Sequence, residues 1–230
     1  MHDAFDCVAI LERLPLEIDC IASSGKTLFV GTNKGHLLVY AIHEEDPSTG
    51  VKYPEGKFEV ELQRSNKAFG RKPIAQLVAL EEYNIIVSLS DGCVNVHDFN
   101  NYNPKQSLGK GILYFSIDQK SSNNDKEPLR LCAVSKRKIS TYYWKKDKFV
   151  ELYGDLTLPD TPKIAVWVGD SICFAMKKDY ALMKADTGKF FQTNFKKRAR
   201  LRFIIDNNFL SSFFSPTTCF NFVLNIFKFS

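Results

Sequence analysis

Closely spaced cysteines are missing from this 230-residue sequence. Its six cysteines are scattered without a CxxC pair, whereas structural zinc sites and redox motifs need cysteines at short, regular spacing. Three of them, Cys93, Cys132 and Cys173, fall in apolar runs that are typical of strands. We therefore expect reduced cysteines that act as small core residues, with no bound metal.

Signals for secretion are also missing. The sequence has no Asn-x-Ser/Thr acceptor for glycosylation. Residues 1–17, MHDAFDCVAILERLPLE, carry acids and only a short apolar run, unlike a cleaved signal peptide. We therefore expect a cytosolic protein.

A complete phosphate-binding loop is absent. The stretch SSGKT at 23–27 resembles the end of a P-loop, but Cys20 stands where that motif needs a glycine. A P-loop also lies between a strand and a helix, whereas the strand-like run LFVGT follows here. We predict a hairpin turn at SSGKT. Gly109-Lys110-Gly111 likewise precedes a strand and predicts a turn rather than a dinucleotide site.

Catalytic constellations are lacking as well. There is no GxSxG, and none of the four histidines has a second one at i+4, the spacing of a helical metal site. His97-Asp98 ends a strand-like run, and we interpret this histidine as structural. Glu44-Glu45 and Glu81-Glu82 lie in loops or turns, where solvated charge is the usual explanation. The sequence predicts no enzyme, no catalytic or cofactor-binding residues and no cofactor, and it leaves the partner-binding residues unassigned.

Basic charge is in excess in one run only. The formal net charge is +5, from 31 basic and 26 acidic residues, and five of the basic ones lie in KKRARLR at 196–202. The remaining charges balance, so the composition does not indicate binding of nucleic acid. We interpret the run as a solvated segment, with nuclear import and attraction to an acidic membrane surface as the functional alternatives.

The sequence does contain a repeated pattern of short strands, best seen at residues 28–42, LFVGTNKGHLLVYAI. Two apolar runs flank the polar turn Asn33-Lys34-Gly35, and Gly35 can adopt the positive φ that such a turn requires. We predict a β-hairpin. Similar hairpins recur, with turns near residues 33, 91, 136 and 178 and strand-like runs at 16–22, 28–42, 58–63, 74–80, 85–90, 93–99, 112–118, 129–135, 139–145, 163–169, 171–177 and 180–186.

Three or four strands recurring about every 40–50 residues are typical of β-propeller blades, which stack to bury their sheet faces. A β-sandwich is the alternative, since it also has short strands separated by turns. We predict an all-β fold, a partial β-propeller of about four blades over residues 1–189.

The composition changes at Phe190, because 11 of the 19 phenylalanines lie in residues 190–230. We predict an irregular Phe-rich tail outside the domain. Residues 209–229 are close to the length of about 20 residues that a transmembrane helix needs, and such a span would make the protein a membrane-anchored, receptor-like protein. Pro216, Lys228 and many Ser, Thr and Asn residues argue against a span.

The first 189 residues resemble the vacuolar protein sorting-39 family of subunits of the HOPS tethering complex. The stretches that carry the resemblance are MHDAF (1–5), ILERLPLEIDCIA (10–22), VGTNKGHLLVY (30–40), FEVELQRSNKAF (58–69), IIVSLSDGCVNVHDF (85–99), LRLCAVSKRKISTYYWK (129–145), ELYGDLTLPDTPKIAVW (151–167) and SICFAMKKDYALMKADTGK (171–189). A related subunit of the CORVET complex, the transforming-growth-factor-β-receptor-associated protein, fits the opening residues less well.

This resemblance implies an N-terminal citron homology (CNH) domain folded as a β-propeller, followed in the family by a helical solenoid. It implies a non-enzymatic tethering subunit that binds a Rab GTPase and other HOPS subunits. The location would be cytoplasmic and peripheral on late endosomes and lysosomes, where autophagosomes also fuse. Nucleotide exchange on a small GTPase and the CORVET role remain the alternatives.

The sequence departs from the family after about Lys189, where the solenoid is lacking and the tail resembles translated non-coding sequence. A partial propeller would also expose a sheet face that further blades would cover.

Overall fold

The computed structural model describes residues 11, 14–54, 57–118, 128–177, 180–185 and 187–193. These residues form sixteen strands in four antiparallel sheets of four strands each, with a single turn of 3-10 helix at Glu81–Tyr83. A sandwich would assemble the strands into two packed sheets, so the four separate sheets exclude that alternative. The prediction of an all-β fold with four repeated units is confirmed.

Each sheet takes four consecutive strands in chain order. Sheet 1 contains β1 (Ile18–Ser24), β2 (Thr27–Thr32), β3 (Leu37–His43) and β4 (Glu59–Asn66). Sheet 2 contains β5 (Ile74–Leu80), β6 (Ile85–Ser90), β7 (Cys93–Asp98) and β8 (Pro104–Leu108). Sheet 3 contains β9 (Tyr114–Asp118), β10 (Arg130–Val134), β11 (Lys138–Lys145) and β12 (Lys148–Thr157). Sheet 4 contains β13 (Ile164–Val168), β14 (Ser171–Ala175), β15 (Tyr180–Lys184) and β16 (Phe190–Thr193).

The predicted hairpin at 28–42 is confirmed as β2, a tight turn and β3. Thr32 N–H donates to the carbonyl of His36 at 3.1 Å, and Gly35 N–H donates to the carbonyl of Thr32 at 3.0 Å. Gly35 has a φ of 78°, in the left-handed region that glycine adopts without a steric penalty. A Cβ at this position would lie 2.3 Å from the carbonyl oxygen of Gly70, so the turn also packs against the connection to sheet 2.

Three strands lie outside the predicted pattern. The fourth strands of sheets 2 and 3, β8 and β12, were not predicted because they are mostly exposed and therefore lack the alternation of a half-buried strand. Strand β16 lies within the segment that we predicted would continue no repeat, and the structure corrects that prediction for Phe190–Thr193. Residues 194–230 lie outside the described part of the chain, so the separate tail stays a prediction.

The hydrophobic core lies between neighbouring sheets. Phe29 and Leu37 of sheet 1 pack with Ile74 and Ile86 of sheet 2 in one buried cluster. A second cluster joins sheets 2 and 3, and a third joins sheets 3 and 4 around Trp167 and its neighbours. Each sheet therefore buries its apolar face against the next sheet, as propeller blades do.

The two outermost sheet faces differ. On sheet 1, a buried outer cluster around Val30 and Leu38 is packed against Leu14 and Leu16 from the segment before β1. On sheet 4, side chains such as Val168 and Phe191 are exposed. The expectation that a partial propeller leaves a sheet face uncovered is confirmed for sheet 4 among the described residues.

Candidate functional site

Bidentate side-chain bridges hold sheets 2 and 3 together, and so position the loops that these sheets carry. Gln76 in β5 accepts from the N–H of Phe115 in β9 at 2.8 Å and donates to its carbonyl at 3.3 Å. Gln106 in β8 repeats this arrangement with Phe149 in β12, at 2.9 and 2.8 Å. Because β5 and β9 are the first strands of their sheets and β8 and β12 the last, the sheets are joined along both edges.

Arg130 joins sheets 3 and 4. Its guanidinium donates to the buried carboxylate of Asp118 and to the exposed carboxylate of Asp170, the latter at 3.0 Å. It also lies 4.9 Å from the ring centroid of Trp167, a cation–π contact. Trp167 in turn donates from its indole N–H to the carbonyl of Ser116 at 3.1 Å. These contacts fix the turn between β13 and β14 against sheet 3.

Loops and turns gather at two opposite ends of the sheets. One end, here called the connection end, carries the second turn of each sheet and the links from one sheet to the next: 33–36, 67–73, 91–92, 109–113, 135–137, 158–163 and 176–177. The other, here called the hairpin end, carries the first and third turns of the sheets: 25–26, 44–54, 57–58, 81–84, 99–103, 146–147, 169–170, 185 and 187–189. Loops of this kind are where binding residues concentrate on rigid scaffolds.

The hairpin end is rich in paired charges. Lys26 lies 3.3 Å from Glu44, and Lys105 lies 3.2 Å from Asp98. Hydrogen bonds from the N–H groups of Asn101 and Asn100, together with Lys105, hold the pKa of Asp98 below its usual value. In the loop at 44–54, the hydroxyl and N–H of Ser48 donate to Asp46 and lower the pKa of its carboxyl to about 2. These carboxylates are therefore ionised at neutral pH.

The SSGKT stretch lies in the tight turn between β1 and β2, as predicted. Gly25 has a φ of 53°, and β2 begins at Thr27. A P-loop needs a helix at this place, so the geometry does not form a phosphate cradle. Gly109 and Gly111 also lie in a connection with positive φ, immediately before β9.

His97 is buried in the sheet 2 side of the core. Its ring stacks on Phe69 with centroids 4.0 Å apart, and Nε2 and Nδ1 lie 3.3 Å from the hydroxyl of Ser88 and 3.4 Å from the carbonyl of Tyr102. Burial lowers the pKa of His97, against a smaller opposing effect of the hydrogen bond to Tyr102. The side chain is therefore neutral and held by structural contacts at neutral pH.

Cysteine and acidic side chains are dispersed. Cys132 is fully buried in the cluster between sheets 3 and 4, which raises the pKa of its thiol to about 12. Cys20 donates from its thiol to the carbonyl of Ile74 at 2.9 Å, a contact between sheets 1 and 2. Within the described ranges, no three His, Cys, Asp or Glu side chains come together as a potential metal site.

Two predicted features lie outside the described residues, namely the basic run at 196–202 and the apolar segment at 209–229. In the part of the chain that is described, no helix is long and apolar enough to cross a membrane.

One feature of the candidate surfaces escaped the sequence analysis, because the charge sum conceals it. The described basic residues divide about equally between the two ends, but most acidic residues lie at the hairpin end, so the connection end has a net positive charge. Counting charge separately for alternate turns of the repeats would have found this asymmetry, since alternate turns lie at opposite ends of antiparallel strands.

Comparisons with a family model and with individual protein sequences are consistent with one another. The sequence model of the CNH domain matches residues 24–217. The chain is 41% identical over 192 residues to the human Vam6/Vps39-like protein, a match that covers 81% of this chain and 22% of that protein. It is 28% identical over 192 residues to the Drosophila melanogaster vacuolar protein sorting-associated protein 39 homolog, covering 79% of this chain and 20% of that protein. The chain thus spans about a fifth of the length of these relatives.

A relative with a different name matches at lower identity. Mouse transforming growth factor-beta receptor-associated protein 1 is 24% identical over 195 residues, covering 80% of this chain and 22% of that protein.

Solved structures match in fold. The AfRom2 CNH domain superposes with a TM-score of 0.55 at 12% identity, over 76% of this chain and 54% of that chain. Saccharomyces cerevisiae Sqt1 superposes with a TM-score of 0.55 at 8% identity, over 77% of this chain and 48% of that chain. These likenesses support the β-propeller architecture. With its four propeller-type sheets, and with the CNH sequence model matching most of its length, this chain belongs to the CNH domain family.

Proposed function

We propose that this chain is the β-propeller binding module of a non-enzymatic tethering subunit of the HOPS type. The observation that carries the proposal is the 41% identity to the human Vam6/Vps39-like protein over 192 residues, which cover 81% of this chain. Further relatives carry the names vacuolar sorting protein 39 and vacuolar protein sorting-associated protein 39, which supports a role in sorting to the vacuole or lysosome.

The geometry suits a module that binds folded partners through its loops. The glutamine bridges and the Arg130 contacts fix neighbouring sheets to one another, so the loops at both ends have set positions. A rigid surface loses little conformational entropy on binding, which favours specific protein contacts.

The proposed partners are a Rab GTPase of late endosomes and the other HOPS subunits. The proposed location is the cytoplasmic side of late endosomes and lysosomes, where the subunit acts in the fusion of endosomes and autophagosomes with lysosomes. The chain would act there by presenting loops, with no chemistry of its own.

A pull-down with the purified chain tests this proposal. The bait is offered to a late-endosomal Rab loaded with GTP or with GDP, and an unrelated β-propeller serves as the matched control. We expect enrichment of the GTP form on this chain only. Equal recovery on both baits would contradict the proposal.

Two further measurements separate the alternatives. Nucleotide release from the same Rab is followed with and without the chain, and unchanged rates are expected from a non-enzymatic module. A faster release would instead indicate an exchange factor. Recovery of HOPS-specific rather than CORVET-specific subunits by a longer protein carrying this domain would distinguish the two complexes.

A further inference from the structure

The connection end carries an excess of positive charge that the composition conceals. Its exposed basic residues are Lys34, Lys67, Arg71, Lys72, Lys110, Lys136, Arg137, Lys138, Lys163 and Lys177. The acidic residues in the described part of the same end are Glu17, Asp19, Asp91 and Asp160. The end therefore has about six more positive than negative charges, although the chain without its 196–202 run is neutral.

Hydrogen bonds join the loops of sheets 1, 2 and 3 at this end. From sheet 1 to sheet 2, Gly70 N–H donates to the carbonyl of Gly35 at 2.9 Å, and the Ser90 hydroxyl donates to the carbonyl of Lys72 at 2.9 Å. Toward sheet 3, Ile112 N–H donates to the carbonyl of Gly92 at 2.8 Å. The basic loops of these sheets are therefore neighbours, not isolated tips.

The connection 158–163 leads from sheet 3 to sheet 4 at this same end, and further hydrogen bonds hold the loops within each of these two sheets. Leu113 N–H donates to the carbonyl of Val134 at 2.7 Å, beside the turn at 135–137, and Leu158 N–H donates to the carbonyl of Arg137 at 2.7 Å. Lys163 N–H donates to the carbonyl of Ala175 at 2.8 Å. All four sheets thus contribute basic loops to the same end.

Ion pairing distinguishes the two ends. The ion pairs found among the described residues, those of Lys26, His43, Lys52, Lys105 and Arg130 with nearby carboxylates, lie at the hairpin end. At the connection end, Lys110 and Lys136 take part in none of the ion pairs found among the described residues. Their charge is therefore available to a partner.

Exposed apolar side chains lie at the same end. Leu113 is 47% exposed and directly precedes β9, and Ile18 is 41% exposed and opens β1. Leu113 ends the connection that contains Lys110, and Ile18 pairs with Thr32 beside the turn that contains Lys34. Apolar side chains next to lysines match the headgroup layer of a membrane, where apolar side chains enter the lipid and lysines contact anionic headgroups.

We propose that the connection end is a docking surface for a bilayer that contains anionic phospholipids. The charges are spread across four sheets and do not converge on one pocket, which fits a laterally extended anionic surface. Eight of the ten basic residues are lysines, which act as point charges without the fixed bidentate geometry of arginine. The proposal does not depend on the Rab or HOPS assignment, because neither partner is needed for contact with lipid.

Vesicle flotation of the full 230-residue chain tests the proposal without any GTPase. We expect binding to vesicles of phosphatidylcholine with about a third phosphatidylserine, and little binding to phosphatidylcholine alone. Since the attraction is electrostatic, raising the salt concentration weakens it. Absence of binding to the anionic vesicles would overturn the proposal and would leave an acidic protein as the occupant to test.

Two triple variants with the same change in net charge locate the surface. The first reverses charges of the connection end: Lys110→Glu, Lys136→Glu and Arg137→Glu. The matched control reverses exposed lysines of the hairpin end: Lys57→Glu, Lys184→Glu and Lys189→Glu. We expect the first to weaken binding about a hundredfold and the control to change it by less than about fivefold. Equal losses would overturn the proposal.

The basic run at 196–202 needs its own variant, because it could bind vesicles by itself. Replacing its five basic residues with glutamine should leave the difference between the two triple variants in place. Loss of all binding in this variant, with binding retained in the connection-end variant, would overturn the proposal. Leu113→Ser should weaken the part of the vesicle binding that persists at raised salt concentration. Circular dichroism of each variant checks that the sheets remain folded.

Discussion

Gln76 and Phe115 are joined by two hydrogen bonds, in which one side-chain amide satisfies both backbone groups of a residue in the next sheet. Gln76 Oε1 accepts from the N–H of Phe115 at 2.8 Å, and Nε2 donates to its carbonyl oxygen at 3.3 Å. The amide thus takes the place of a neighbouring strand at the junction between sheets 2 and 3.

Replacing this amide should destabilise the protein. The side-chain volume is nearly unchanged in Gln76→Met, but the backbone N–H and carbonyl of Phe115 each lose a hydrogen bond at a half-buried position. We therefore expect the free energy of unfolding to fall by about 1–3 kcal/mol. Urea unfolding followed by tryptophan fluorescence measures it. Gln63→Met, at an exposed glutamine of β4, is the matched control and should change stability by less than about 0.5 kcal/mol. Similar values for both variants would contradict a structural role for the bridge.

Gly35 and Gly25 provide a matched pair of turn glycines. Both have positive φ, at 78° and 53°, but a Cβ at Gly35 would meet the carbonyl oxygen of Gly70 at 2.3 Å, whereas nothing lies within 4 Å at Gly25. Gly25→Ala should cost about 1 kcal/mol from the left-handed conformation alone. Gly35→Ala should cost about 2–4 kcal/mol, because the clash adds to this penalty. Equal unfolding midpoints in urea for the two variants would refute the close contact between the turn and Gly70.

Substitutions of Arg130 and of its exposed partner Asp170 should lower the stability of the protein by unequal amounts. Asp118 is 4% exposed, so Arg130→Met leaves its carboxylate buried without the guanidinium and should destabilise by about 3–5 kcal/mol. Asp170 is exposed, so Asp170→Asn should change stability by less than about 1 kcal/mol. Thermal unfolding of both variants tests the order. A larger effect from Asp170→Asn would show that the buried pair is not the dominant contact.

The burial of His97 predicts a pH dependence of stability. Its pKa in the folded protein lies below the ordinary value of 6.5, so the unfolded state binds more protons as the pH falls through 6.5. The stabilisation by the neutral ring is thus present above that pH and is lost below it. Between about pH 7.5 and pH 5.5, His97→Gln should show a smaller decrease in unfolding free energy than the unmodified chain. Identical slopes would show that His97 is not the group that titrates.

Most of the repeat could be predicted from the sequence because hairpins depend on local chemistry. The run at 28–42 combines β-branched and aromatic residues with a turn glycine, and that combination specifies two strands and a tight turn. The strands β8 and β12 could not be predicted in this way. They lie at the outer edges of their sheets, where exposure removes the alternation that identifies a strand.

The candidate surfaces were less predictable than the fold. The sequence places Lys34, Lys110 and Lys136 in separate turns far apart along the chain, and their total charge is cancelled by acidic residues elsewhere. Nothing in the local pattern indicates that these turns share one end, because that depends on the stacking of one sheet on the next. Gln76 and Gln106 likewise look like ordinary polar strand residues until the neighbouring sheet is in place.

The sequence by itself therefore determined the strands, the tight turns and the number of repeated units, since each depends on residues that are close along the chain. The tertiary structure alone decided which loops become neighbours, which amides join two sheets, and which end carries a net positive charge. Those features arise from contacts between residues as distant as Gln76 and Phe115, which are brought together only when apolar sheet faces are buried against one another.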